Sequence, residues 1–304
     1  MVKEAGVEIK NLSVGFRLPK GIFYAVDDVS MTFEAKKFTA IIGESGCGKS
    51  VLGQAVLNIL PANAIKKGQV FYEGEPVKGM QTGFGIIPQN PSASLNPVRK
   101  IGRQLQDILD VANIADRNDA YKLKCLQLFG LQEAERVLSA YPHELSGGML
   151  QRVLCAMAVS TEPEWILADE PTKGLDEQVG AVVRKNLMTI KQDLRLSMLI
   201  ITHDIALAQE VCDDVVVMYA GQALEHNTDL WQKPLHPYTQ GFLKALPQNG
   251  LAVIAGKAPA PGEFFGGCKF AARCPYCSKR CREERPGLYM VGSAQVRCFL
   301  YAES

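Results

Sequence analysis

Residues 43–50 read GESGCGKS, an order of groups suited to holding a polyphosphate. Glycines let consecutive backbone N–H groups curl around phosphate oxygens, and the start of the following helix favours an anion. Lys49 can reach the outer phosphates, and the Ser50 hydroxyl can ligate Mg²⁺. A second chemical motif is WILADE, residues 165–170. Its apolar run ends in Asp169, placed to hold Mg²⁺ directly or through water, and in Glu170, placed to polarise an attacking water. The strand carrying these carboxylates is expected to lie side by side with the strand that enters the phosphate loop. A third motif is GCKFAARCPYCSKRC, residues 267–281, followed by Cys298. In a reducing cytosol such thiols read as metal ligands before disulfides. Their spacing permits tetrahedral Zn²⁺ on four thiolates, with the two-residue gap of CPYC common at zinc sites. It equally permits a [4Fe–4S] cluster, which also takes four thiolates.

These groups need elements to position them. The first forty residues alternate apolar and polar and read as antiparallel strands. FTAII (38–42), EWILADE (164–170), SMLIITHD (197–204) and DDVVVMYAG (213–221) are short buried strands. Helical spacing follows the phosphate loop in KSVLGQAVLNIL, dominates residues 98–160 with a break at 146–148, and returns at 177–193. Such alternation is the α/β pattern, with ligands at the carboxyl ends of the strands. Beyond residue 226 a helix entered through Pro237 leads to a Pro/Gly/Ala-rich connector (251–267) and then to the cysteines.

Composition excludes several classes. Thirty-three basic and thirty-two acidic residues leave a net charge of +1, with no general pull towards nucleic acid. No apolar stretch reaches the length of a membrane span, so membrane association is expected to come through a partner. Cys125, Cys155 and Cys212 read as small buried side chains.

LSGGMLQR (145–152) resembles the signature motif of ABC-type ATPases, and further elements of that family fall in order around it. The resemblance runs from about residue 7 to about residue 300. It implies an α/β P-loop NTPase with an antiparallel β subdomain, a helical subdomain at about 90–160 and a small Cys-rich C-terminal extension. The boundaries that follow are 1–226 for the nucleotide-binding domain and 227–304 for the extension. ATP with Mg²⁺ would be held by Gly43, Ser45, Gly46, Cys47, Gly48, Lys49, Ser50 and Val51. Phe16 stands at the place of the adenine-stacking aromatic, and Gln89 at that of the glutamine that senses Mg²⁺ and the γ-phosphate. Asp176, in the GLD of 174–176, resembles the loop that communicates across the dimer, and His203 the switch histidine. Two such domains would face head to tail, Ser146, Gly147 and Gly148 of one holding the γ-phosphate bound by the other. Glu170, Lys49, Gln89 and His203 are the expected catalytic set.

PSASLNPVRKIGRQL (91–105) and HPYTQGFLKALP (236–247) resemble the oligopeptide, dipeptide and nickel branch of the ABC importers. That branch carries a C-terminal cysteine pattern matched here by Cys268, Cys274, Cys281 and Cys298, with Cys277 as an extra thiol. The resemblance favours [4Fe–4S] over Zn²⁺. Lys269, Arg273, Lys279, Arg280 and Arg282 could temper thiolate charge, and read equally as a solvated basic face. The implied partners are two membrane permease subunits, a second ATP-binding subunit and, indirectly, an extracytoplasmic substrate-binding protein, with the chain peripheral at the cytoplasmic face of the membrane. Leu150, Lys173-Gly174 and Pro88 depart from common forms, and Leu150 resembles nickel-importer subunits. Two other readings are a soluble ABC ATPase acting on nucleic acid or ribosomes, and a metal- or redox-sensing regulator that uses ATP as a structural ligand.

Overall fold

The computed structural model describes residues 6–18, 21–79, 83–114, 118–246, 249–250, 252–259, 263 and 266–302. Residues 251, 260–262 and 264–265 of the 251–267 connector therefore lie outside the described residues. The chain divides into two compact units, one formed by residues 1–34, 39–79 and 212–304, the other by 35–38 and 80–211.

The first unit begins with β1 (Val7–Leu18) and β2 (Gly21–Phe33), which pair antiparallel as the alternating pattern requires. After β3 (Phe38–Gly43) and α1 (Lys49–Val56), β4 (Ala64–Tyr72) pairs with the other edge of β1, and the short β5 (Glu75–Pro76) pairs with β4. A four-stranded antiparallel sheet results, ordered β2-β1-β4-β5.

The second unit opens with β6 (Phe84–Ile87) and runs through helices α2 (Pro91–Ser94), α3 (Ile101–Val111), α4 (Asp119–Leu128), α5 (Ala134–Ser139) and α6 (Gly147–Val159). It continues with β7 (Trp165–Asp169), α7 (Glu177–Thr189), a single π turn at 190–194, β8 (Ser197–Ile201) and α8 (Ile205–Val211). β6, β7 and β8 are parallel neighbours, with Ile87 beside Ala168 and Asp169 beside Ile201. Both edges of β7 are thus taken, so the strand of β3 does not lie directly beside it as expected. The physical reason is the βαβ crossover: α7 returns the chain to the free edge of β7, and β8 fills that position.

The first unit is completed by the C-terminal third. β9 (Asp214–Tyr219) runs parallel to β3 with Thr39 opposite Asp214, and every residue of both strands is buried. β10 (Gln222–Asn227) turns back on β9. After α9 (Pro237–Lys244) and α10 (Lys279–Glu283), β11 (Tyr289–Val291) and β12 (Ala294–Val296) form a hairpin whose second strand pairs with β10. Among the described residues no helix is long and apolar enough to cross a membrane.

Candidate active site

The phosphate loop is shaped by what stands against it. Gly43 ends β3 at φ 150°, and a Cβ there would strike the Met218 carbonyl oxygen. Gly48, at φ 103°, approaches the Ala25 carbonyl just as closely. Both positions demand glycine for conformation and for space. No side chain caps the start of α1, which leaves its first N–H groups available to an anion. The buried Lys49 folds its ammonium over the loop, donating to the carbonyls of Gly43 (2.9 Å) and Glu44 (3.2 Å). Burial pushes the Cys47 thiol up, so it stays neutral beside that ammonium. Ser50 and Val51 follow in the first turn of α1, and Ser45 and Gly46 lie in the loop itself. Phe16 is half-buried on β1, in register with Phe23 on β2 and Ala64 on β4.

In the second unit the carboxyl ends of three parallel strands bring the other expected residues together. Gln89 follows β6 and is exposed, Asp169 closes β7, and Glu170 comes next with a left-handed backbone, φ 49°. The Glu170 N–H donates to the Ile201 carbonyl at 2.7 Å, which ties this turn to the end of β8. His203 lies two residues beyond β8, with Nδ1 2.6 Å from Glu170 Oε2. Asp204 holds the same corner: it accepts from Thr172 Oγ1 at 3.0 Å and caps α8 through the Leu207 N–H. Asp176 is the N-cap of α7, accepting from the Val179 N–H at 2.9 Å. Ser146 caps α6 in the same way, while Ser146 and Gly147 stay exposed and a Cβ on Gly147 would meet nothing. Leu150, the odd residue of the signature, is buried.

All nine cysteines are free. Cys125 and Cys155 are buried as expected, and Cys212 is partly exposed. Cys268, Cys274, Cys281 and Cys298 line one cavity of about 280 Å³, walled also by Phe270 and His236. Burial first, and then the negative charge of Cys281, Cys298 and Cys274, push the Cys268 thiol up to about 11. These four groups therefore feel one another. Cys277 does not line the cavity; its Sγ faces the Ser278 carbonyl. Among the described residues no group of three or more His, Cys, Asp or Glu could hold a metal ion.

The basic residues around the thiols do not behave as one class. Lys279 is 87% exposed, and Arg282 is likewise in solvent. Arg280 lies over the Phe299 ring and pairs with Glu284. Lys269 and Arg273 instead point away from solvent. Lys269 Nζ pairs with Asp27 at 2.7 Å and donates to the Ala220 carbonyl, and Arg273 pairs with Glu44 of the phosphate loop at 3.0 Å. Neither solvation nor thiolate neutralisation describes these two. Their acidic partners lie hundreds of positions away along the chain, and sequence spacing holds no signal for them.

Residues 26–173 match the family described as ABC transporter, and residues 224–281 that described as oligopeptide/dipeptide transporter, C-terminal region. The oligopeptide transport ATP-binding protein OppD of Haemophilus influenzae is 35% identical over 98% of this chain and 98% of its own. The oligopeptide transport ATP-binding protein AppD of Bacillus subtilis is 36% identical over 98% of this chain and 97% of its own. Among solved structures, cbiO1 from Clostridium perfringens, part of the ABC transporter complex cbiONQ, matches with a TM-score of 0.61 at 25% identity, covering 74% of this chain and 89% of that one. The dimeric ATP-binding cassette MJ0796 in a post-hydrolysis state bound to ADP and Pi shares the fold, with a TM-score of 0.60 at 24% identity over 73% of this chain and 97% of that one. Fold and matches together define an ABC-type ATPase. Within that class, the chain belongs to the family of oligopeptide/dipeptide ABC-transporter ATP-binding subunits.

Proposed function

We propose that this chain is the motor subunit of a peptide importer, binding ATP through residues 43–51 and hydrolysing it with Glu170 as the base. The observation that carries this reading is the contact between Glu170 and His203 at the carboxyl ends of parallel strands. Glu170 takes the proton of the attacking water, and His203 fixes the carboxylate that does so. Lys49 neutralises charge that develops on the outer phosphates. Ser50, Gln89 and Asp169 would hold Mg²⁺, which prefers oxygen donors, and the ion would spread the phosphate charge. Phe16 offers its ring face to the adenine.

The exposed helix start at Ser146, Gly147 and Gly148 is free to meet the nucleotide of a second ATP-binding subunit placed head to tail, with Asp176 at the crossing. Two permease subunits would dock this motor at the cytoplasmic face of the membrane, fed by a substrate-binding protein outside; nucleic acid has no part. The names of the relatives support peptides as cargo, whereas nickel or metal-chelate import rests on Leu150 alone. The two family matches support a nucleotide-binding domain at 1–226 and an extension at 227–304.

The lining of one cavity by four thiols supports a [4Fe–4S] cluster in the extension, although as placed no three of them converge on a single ion. A single Zn²⁺ needs thiolates converging to about 2.3 Å from one point. Four thiols spread around a cavity of about 280 Å³ suit the larger core instead. Cys268, Cys274, Cys281 and Cys298 would hold it, and it would staple the segment that follows the connector. The test of the motor is transport in vesicles carrying the assembled permeases. Glu170→Gln should abolish ATP-driven peptide uptake while ATP binding persists; uptake at the parent rate would refute the assignment.

A further inference from the structure

Glu44 is the second residue of the phosphate loop, and it is held from three sides. Its carbonyl accepts from Lys49 Nζ at 3.2 Å, and its N–H donates to the Tyr238 hydroxyl at 3.3 Å. Its carboxylate takes Nη1 of Arg273 on both oxygens, at 3.0 and 3.3 Å. Arg273 is itself fully engaged. Nη1 also meets the Tyr219 hydroxyl at 3.2 Å, and Nε donates to the Ala255 carbonyl at 3.2 Å. The guanidinium lies over the rings of Tyr219 and Phe270 and is only 7% exposed. An arginine held this way places its forked donors with little freedom left to lose.

We propose that Arg273 is a positioning residue for ATP binding, holding the phosphate loop in shape through Glu44. Arg273 directly precedes Cys274, and Phe270, which walls the thiol cavity, packs edge-on against Tyr219 and Tyr238. The thiol-bearing segment is therefore part of what fixes the nucleotide. Lys269 adds a second strap: it binds Asp27 and the Ala220 carbonyl, Asp27 N–H donates to Gly221, and Gly221 N–H donates to the loop carbonyl of Cys47. The proposal rests on residues 43–51 being the phosphate site.

The test is a double-mutant cycle on the full chain, with titration by a fluorescent ATP analogue in Mg²⁺ and steady-state ATPase in the assembled transporter. Arg273→Ala and Glu44→Gln should each weaken nucleotide binding about tenfold, the scale of a lost charged hydrogen bond. KM should rise while kcat holds, and the double variant should be no worse than the weaker single. Arg273→Lys should recover part of the loss. Glu44→Gln leaves the thiols untouched, so a matching loss in both singles places the effect in the pair. It also decides the matter should Arg273→Ala fail to fold. Unchanged affinity in Glu44→Gln, or losses that simply add, would overturn the proposal. Lys49→Ala is the control for the underlying assignment: ATP binding at parent affinity there would sink the phosphate site itself, whatever Arg273 does.

Discussion

His203 reaches Glu170 twice. Its ring Nδ1 lies 2.6 Å and its backbone N 3.3 Å from the same carboxylate oxygen, Oε2. An ionised carboxylate only accepts, so in this contact Nδ1 carries the hydrogen and donates it. The Glu170 side chain is 12% exposed and that of His203 is 54% exposed, so the carboxylate is shielded and its holder faces outward. Among the described residues Oε1 has no hydrogen-bond partner, which leaves it to a water. The left-handed turn at Glu170 sets this geometry, because it swings the side chain across to the end of β8.

Glu170→Gln keeps the shape of the side chain and removes the proposed base. Single-turnover ATP hydrolysis should fall by about 10²-fold or more, the range general bases supply, with ATP affinity preserved. His203→Ala should cost less, because the base survives but is no longer aimed.

His236 sits fully buried, and its Nδ1 accepts from the Tyr238 N–H as the cap of α9. Burial pushes its pKa down from the ordinary imidazole value of about 6.5 to about 3. Below pH 6.5 the unfolded chain takes up a proton that the folded chain refuses, so stability is full above that value and falls as the pH drops towards 3. At pH 5 the loss relative to pH 7 should be about 2 kcal/mol, readable from urea unfolding. His236→Asn, which retains a capping acceptor, should flatten that slope.

The thiol site predicts a selective loss of metal. Protein purified without oxygen should contain about four irons and four sulfides per chain. Cys268→Ser, Cys274→Ser, Cys281→Ser and Cys298→Ser should each lower the iron content, whereas Cys277→Ser should retain it. Equal dependence on Cys277, or one zinc and no iron, would reverse the ligand assignment.

Asp27 accepts from both Lys269 and Arg285, and despite burial these cations hold its carboxyl below the usual range. Asp27→Ala leaves the Lys269 ammonium largely buried without its carboxylate. Breaking such a pair from one side costs about 3 kcal/mol, which would show as a lower urea midpoint at unchanged m-value.

What the sequence discloses here is what is local. The largely apolar runs 38–42, 165–168 and 198–201 fall in β3, β7 and β8, and Pro237 does open α9. The groups at the strand ends, Asp169, Glu170 and His203, are legible because a strand followed by a polar corner places them within a few residues. Long-range pairing is not legible in that way. The insertion of β8 against β7 depends on which sheet edge the crossover leaves open, and β12 closes on β10 across some seventy residues of chain (Glu225 with Val296). Cys277 carries the same chemistry as its neighbours, and only the fold turns it out of the cavity.

The first unit is assembled from three separated stretches, 1–34, 39–79 and 212–304, whereas the second is nearly continuous from 80 to 211. A chain leaving the ribosome therefore exposes the phosphate loop early and receives Arg273, the partner of Glu44, 229 residues later. Residues 80–211 emerge as one stretch, whereas the loop cannot gain its Glu44–Arg273 contact until residue 273 has been made. A copy that stops before residue 273 would lack this contact, and on the proposal above its phosphate loop would hold nucleotide less tightly.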